Sequence, residues 1–256
     1  MANTTDTSDG LTSLLRSEVK KSDWPARLDL AQSLSGLALG LFMWTHLLLV
    51  SSILIGEELF LKVCYVLEAG FLNPDGPGGY PILVTGIALV IFVLFVAHAG
   101  LAMRKFPANW RQYKIIRDQA KMLPHDETKN WFLQAKTGFV MFFLGSVHLF
   151  IMATHPEIDP YASADRVWSA FMWPLYLVLL FSVEIHGAVG MYRLAVKWGV
   201  FDGEDPRATR KRLKTAKSLI TIFFLVLGLA SLAAYMKIGY EHQEHAGQPY
   251  PTEAAH

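Results

Sequence analysis

Nine histidines punctuate this chain. His125, His155, His242, His245 and His256 fall in polar connections or the tail, where a solvated surface role accounts for them. The other four, His46, His98, His148 and His186, each sit inside a long apolar stretch, one per stretch. A lone histidine in hydrocarbon often does no more than bond a neighbouring helix. Four of them, one on each of four consecutive stretches, point to a set of metal ligands. Zinc would usually add carboxylates or thiolates, and at these depths only Glu184 offers one. Two imidazoles facing each other across a bundle suit haem with no open axial position, a low-spin electron-transfer centre. Cys64 is the only cysteine. It leaves no iron–sulfur cluster, Cys-rich zinc site or internal disulfide within this chain. No C-x-x-C-H occurs, so a haem would not be held by the usual thioether pair.

The elements that must position these side chains follow from hydropathy. Hydrophobic residues make up 52% of the chain and charged residues 18%, below the roughly 25% of a soluble domain. Five apolar stretches, 30–55, 81–103, 132–154, 168–196 and 218–236, are each long enough to cross about 30 Å of hydrocarbon as a helix. No alternation of period two supports a membrane barrel. The expected fold is an all-α integral membrane protein, a bundle of five transmembrane helices. A 1–28 arm precedes a 29–240 transmembrane domain and a polar 241–256 tail. The arm has no apolar core of a cleavable signal peptide.

Arg16, Lys20, Lys21 and Arg27 make the N-terminal segment basic, and the second and fourth connections are basic too. The first and third hold Glu57, Glu58, Glu68, Asp75, Glu157, Asp159 and Asp165. The positive-inside rule puts the N-terminus in the cytoplasm and the C-terminus outside. Net charge is +1, so no global field points to nucleic acid.

Depth then pairs the histidines. At 1.5 Å per residue, His46 and His148 lie about 13 and 9 Å from the outer ends of their helices. His98 and His186 lie about 8 and 15 Å from the inner ends of theirs. His46 and His148 therefore share the outer half of the membrane, and His98 and His186 the inner half. The two centres would be roughly 10–15 Å apart in depth. Haem propionates need basic or hydrogen-bonding partners, and Gln32, Ser33, Lys105, Trp131, Arg166 and Lys197 are candidates near helix ends. For each alone, interfacial snorkelling is the simpler account. Gly36 and Gly40, and Gly187 and Gly190, offer either close helix packing or clearance for a flat macrocycle.

GLFMWTH around His46, AHAGLAMRKFP around His98, TGFVMFFLGSVHLFIM around His148 and MWPLYLVLLFSVEIHGAVGMYRLAVKWGVFDGE around His186 resemble the dihaem cytochrome b subunit of quinol:fumarate reductases. The resemblance covers roughly residues 24–240. It implies two haem b, with His46, His98, His148 and His186 as axial ligands. It also implies a flavoprotein subunit with FAD and an iron–sulfur subunit docked on the cytoplasmic face of a bacterial cytoplasmic (inner) membrane. The substrate implied is a quinol, menaquinol, oxidised near the outer haem with Glu68 at its site. Glu184 matches the family's intramembrane carboxylate, a proton relay. The same subunit in a succinate:quinone reductase, another respiratory cytochrome b and a haem-free proton-conducting protein are the competing readings.

Overall fold

Hydrocarbon offers no partners to backbone polar groups, so an apolar segment crossing it closes its hydrogen bonds internally as a helix. The computed structural model describes residues 22–73, 78–122 and 126–251, and no strand occurs among them. Five helices are long and apolar enough to cross a membrane. They are α1 (Trp24–Val50), α3 (Ile82–Met103), α5 (Asp126–Thr154), α7 (Trp173–Trp198) and α8 (Pro206–His242). Between them run three helices of lower hydropathy or shorter length, α2 (Glu57–Leu67), α4 (Trp110–Met122) and α6 (Pro160–Val167). Arg16, Lys20, Lys21, Asp75, His125 and His256 lie outside the described residues.

The helix ends depart from the apolar limits for local reasons. Helix α1 starts at Trp24 rather than Leu30, with Pro25 in its first turn, where a missing N–H costs nothing. Asp29 is thereby inside the helix. Helix α7 starts at Trp173 rather than Trp168. Pro174 occupies its first turn, and Phe171 just before it has φ of 57°, which no helix propagates. Trp168 instead ends α6. Helix α8 has 37 residues, roughly 55 Å at 1.5 Å per residue, so it overshoots the hydrocarbon. Asp205 caps it, its carboxylate accepting from the backbone N–H of Arg207 at 2.8 Å and of Ala208 at 3.3 Å.

Packing arranges the four histidine-bearing helices as a ring, α1 against α3, α3 against α5, α5 against α7 and α7 against α1. Helix α8, which has no histidine before its last residue, packs outside the ring on α7 and α1. One end of the ring, the roof, carries α2 and α6. Ile53, Phe60, Cys64, Ala164, Val167 and Tyr235 form a buried apolar cluster there. The Tyr235 hydroxyl donates to the Val50 carbonyl at 2.9 Å, and Ser231 Oγ donates to Ser51 Oγ at 2.8 Å, which ties α8 to the end of α1. The opposite end, the base, carries α4.

The seam between α6 and α8 leaves no room for a side chain at Gly239. A Cβ there would stand 2.5 Å from the Ala164 carbonyl oxygen and 2.6 Å from Trp168 Cβ. Gly239→Ala is expected to cost about 1–3 kcal/mol through overpacking and to lower the thermal midpoint of the purified protein. Gly86→Ala, whose added Cβ meets nothing within 4 Å, is the control and should leave the midpoint unchanged or raise it. Equal midpoints for the two variants would contradict the seam.

Candidate functional site

The roof-side pair is built by α1 and α5. The rings of His46 and His148 face each other with centroids 6.2 Å apart and planes at 73°. An ion held between two imidazoles, each nitrogen about 2 Å from it, sets ring centroids roughly 6 Å apart. Phe42 lies 5.8 Å from the His46 ring, and Tyr176 meets the His148 ring edge-on at 5.5 Å. Both histidines line an apolar cavity of about 470 Å³, with walls from α1, α2, α3, α5, α6, α7 and α8. Gly145 and Gly228 are among its lining residues, and a Cβ at Gly228 would meet Leu180 at 2.5 Å, so that glycine lets α8 pack closely on α7. His46 retains accessible surface although helices surround it, because it looks into this space. A cavity of this size and polarity suits a flat apolar cofactor, so the roof-side residues fit a haem.

The base-side pair is oriented by hydrogen bonds. His186 Nδ1 lies 2.9 Å from the Gln134 carbonyl oxygen. A carbonyl only accepts, so Nδ1 carries the proton and Nε2 keeps its lone pair for a metal. Gly138, one turn on from Gln134, makes that approach possible, since a Cβ there would be 2.9 Å from His186 Cε1. The same device recurs between α1 and α3. Ser35 Oγ donates to the Gln32 carbonyl at 3.1 Å and sits 3.0 Å from His98 Nδ1. With the hydroxyl proton on Gln32, the ring Nδ1–H is the donor to Ser35. A Cβ at Gly36 would lie 2.9 Å from His98 Cε1. His98 and His186 are within electrostatic reach of one another. Among the described residues no three His, Cys, Asp or Glu side chains gather around a common point. Imidazoles arranged in twos match a macrocycle that supplies its own equatorial nitrogens.

The other glycines serve helix contact. Gly40 approaches Met191 and Gly187 approaches Met43, so α1 and α7 lie close along this face, while Gly190 approaches Gln134 of α5.

Four of the six propionate candidates gather at the base around a residue that hydropathy hides. Asp29 accepts from both Lys105 and Lys197. Lys197 Nζ also donates to Ser33 Oγ at 3.3 Å, and Ser33 Oγ donates to the Asp29 carbonyl at 2.9 Å. The neighbouring Gln32 Oε1 is buried without a partner among the described residues. Trp131 packs at 5.8 Å against Phe106. Arg166 stands apart, at the roof. It lines the cavity, and its guanidinium donates to the carbonyls of His155 and Glu157 at 3.1 and 3.0 Å.

The two acids lie in different settings. Glu184 on α7 has no exposed surface, and neither carboxyl oxygen has a partner among the described residues. Trp44 interacts with it from α1, its own indole nitrogen likewise buried without a bonded acceptor. Trp44 stacks on Phe224 of α8 at 5.6 Å and 5°. Glu184 thus turns toward α1 and α8 while His186 turns toward α5. Glu68 ends α2 at the roof. It is not on the cavity wall, although Cys64 and Leu67 beside it are. Its carboxylate accepts from the backbone of Ile158. Partial burial, with Asp159 and Glu157 nearby adding to it, holds its carboxyl above the usual carboxylate range. Gly79 leaves room for it, since a Cβ there would be 2.3 Å from Glu68 Cβ.

The model of the succinate dehydrogenase/fumarate reductase transmembrane subunit family matches residues 109–227. The fumarate reductase cytochrome b subunit of Wolinella succinogenes is 53% identical over 228 residues, which is 89% of this chain and 88% of that protein. The subunit of the same name from Helicobacter pylori is 47% identical over 229 residues, 89% of this chain and 87% of that protein. With paired imidazoles in a five-helix apolar bundle and identity of this extent, the chain belongs to the succinate dehydrogenase/fumarate reductase transmembrane subunit family, as a fumarate reductase cytochrome b membrane subunit.

Proposed function

We propose that this chain anchors a fumarate reductase in the bacterial cytoplasmic membrane, oxidises menaquinol at the roof and delivers the electrons at the base. The observation that carries the reading is the facing pair His46 and His148 in an apolar cavity. His46 and His148 would hold one haem b and His98 and His186 a second, and the two supply one-electron transfer across the bilayer. The protein's own part is to fix the ligands. Gln134 and Ser35 hold Nδ1 of His186 and His98, which leaves Nε2 of each for iron. Arg166 is the propionate partner at the roof. Gln32, Ser33, Lys105, Trp131 and Lys197 serve the base.

The charge bias of the connections supports a roof facing outside and a base facing the cytoplasm. The flavoprotein with FAD and the iron–sulfur subunit would then dock on the base, whose Lys105, Lys197 and α4 are basic. The relatives named above are fumarate reductase subunits, which favours fumarate reduction over the succinate:quinone direction. A visible spectrum and haem assay of the purified protein test the reading. Two haem b per chain are expected, with His46→Ala and His98→Ala each losing one. One haem in the native protein contradicts the pairing.

Glu68 is the general base that takes a quinol hydroxyl proton at the roof. Burial raises its carboxyl, so it is ionised and competent only above that raised value. Quinol oxidation should therefore fall on acidification at a pH above the ordinary carboxylate range. Glu68→Gln should abolish it while haem content persists. An unchanged rate in that variant would rule the role out.

Glu184 carries protons inward alongside the electrons. A buried carboxyl at mid-membrane is costly and usually functional. Electrons crossing inward alone would move against a potential negative inside, at about 2.3 kcal/mol each per 100 mV. A menaquinol–fumarate couple offers little to cover that, and a proton moving the same way cancels the charge. In proteoliposomes, Glu184→Gln is expected to lose quinol-driven fumarate reduction with both haems bound. Normal turnover of that variant without charge displacement would contradict the relay.

A further inference from the structure

Helix α6 has two working faces. Ser163, Arg166 and Val167 line the cavity that His46 and His148 share. Tyr161, Asp165 and Trp168, spaced i, i+4 and i+7, point to the other side, and the last residue of α8 and those after it cover them. The Asp165 carboxylate accepts from His242 Nδ1 at 3.2 Å and from the Gly247 backbone N–H at 2.8 Å. Only 11% of the His242 side chain and 12% of that of Asp165 stay accessible. The His242 ring stacks on Tyr161 at 4.0 Å and 24°, and Tyr250 meets the same tyrosine at 4.9 Å. The Trp168 indole N–H donates to Gln243 Oε1 at 3.4 Å.

The segment reaches a second roof helix. Tyr250 lies within electrostatic reach of Glu57 and Glu58, which open α2. Helix α2 supplies the Phe60, Cys64 and Leu67 part of the same cavity wall. One run of chain therefore clasps α6 on its side away from the cavity and comes within electrostatic reach of the first turn of α2. Two hydrogen bonds to one carboxylate and a ring stack are more than a polar surface segment needs to stay solvated.

We propose that residues 242–250, from the last residue of α8 onward, act as a strap holding the roof of the cavity, with Asp165 as the positioning residue that transmits it to Arg166. The strap sets how tightly quinol is held and the environment of the roof-side haem, and it leaves the base-side haem untouched. The inference rests on the dihaem reading above.

The test is a redox titration of the haems in the purified whole complex, with steady-state kinetics on a short-chain menaquinol analogue, for Asp165→Ala and Asp165→Asn. Haem content confirms folding. In Asp165→Ala the quinol KM is expected to rise about fivefold or more, the weight of one lost hydrogen bond. The roof-side haem should shift its spectrum and midpoint while the base-side haem keeps both. Asp165→Asn still offers an oxygen to the Gly247 N–H and should restore the native values. A native KM and native roof-side haem in Asp165→Ala overturn the proposal. An Asn variant as impaired as the Ala variant overturns it too, because charge rather than the clasp would then matter. A single haem in the native complex would overturn the dihaem reading instead, and the KM comparison would still decide the strap.

Discussion

An imidazole inside a bilayer has no water to settle which nitrogen carries its proton, so the protein must settle it. In this bundle the base-side histidines spend Nδ1 on an oxygen of the facing helix, the Gln134 carbonyl for His186 and Ser35 Oγ for His98. Both bonds need the ring pressed against a helix backbone, and both are possible only because a glycine stands at the contact. The α5–α7 and α1–α3 seams follow from that approach, and with them the ring of four helices. The roof-side pair is held differently. His148 Nδ1 has no partner among the described residues, and Phe42 and Tyr176 orient the rings by packing. The two halves of the membrane domain thus use hydrogen bonding at one depth and aromatic contact at the other.

Electrostatics reinforces the same division. At the base, Asp29 draws Lys105 and Lys197 together and joins the ends of α1, α3 and α7. These side chains are a third to a half exposed, so the pairs add little to stability. Their effect is to hold two ammonium groups together at the base, one of them also beside Ser33 of α1. At the roof, acids predominate. The lone cation on the cavity wall, among the described residues, is Arg166, held by two backbone carbonyls. The thiol of Cys64, pushed up by burial, stays neutral and acts as part of the apolar wall.

Much of this was legible in the residues because it depends on single-residue properties. Hydropathy marks the five spans, since a bilayer admits few alternatives to an apolar helix, and the depth of each histidine follows from a fixed rise per residue. What escaped was whatever depends on contact between distant parts of the chain. Asp29 looks like an ordinary acid at a helix start until α3 and α7 bring Lys105 and Lys197 to it. Gly138 looks like any membrane-helix glycine until His186 meets it. Hydropathy carries the fourth span back to Trp168, while the left-handed Phe171 and Pro174 set the start of α7 at Trp173. Hydropathy does not mark α2 and α6 because, at 11 and 8 residues, they are too short to cross the hydrocarbon.

On the proposed function, two imidazoles hold each metal centre. Methionine is the competing soft ligand, and Met43 and Met141 both line the roof-side cavity. The near-infrared magnetic circular dichroism spectrum of the oxidised, purified protein separates these ligand sets directly. The account predicts two low-spin haems, each with bis-imidazole ligation and no histidine–methionine band. A high-spin centre, or a histidine–methionine signature at either haem, would contradict it.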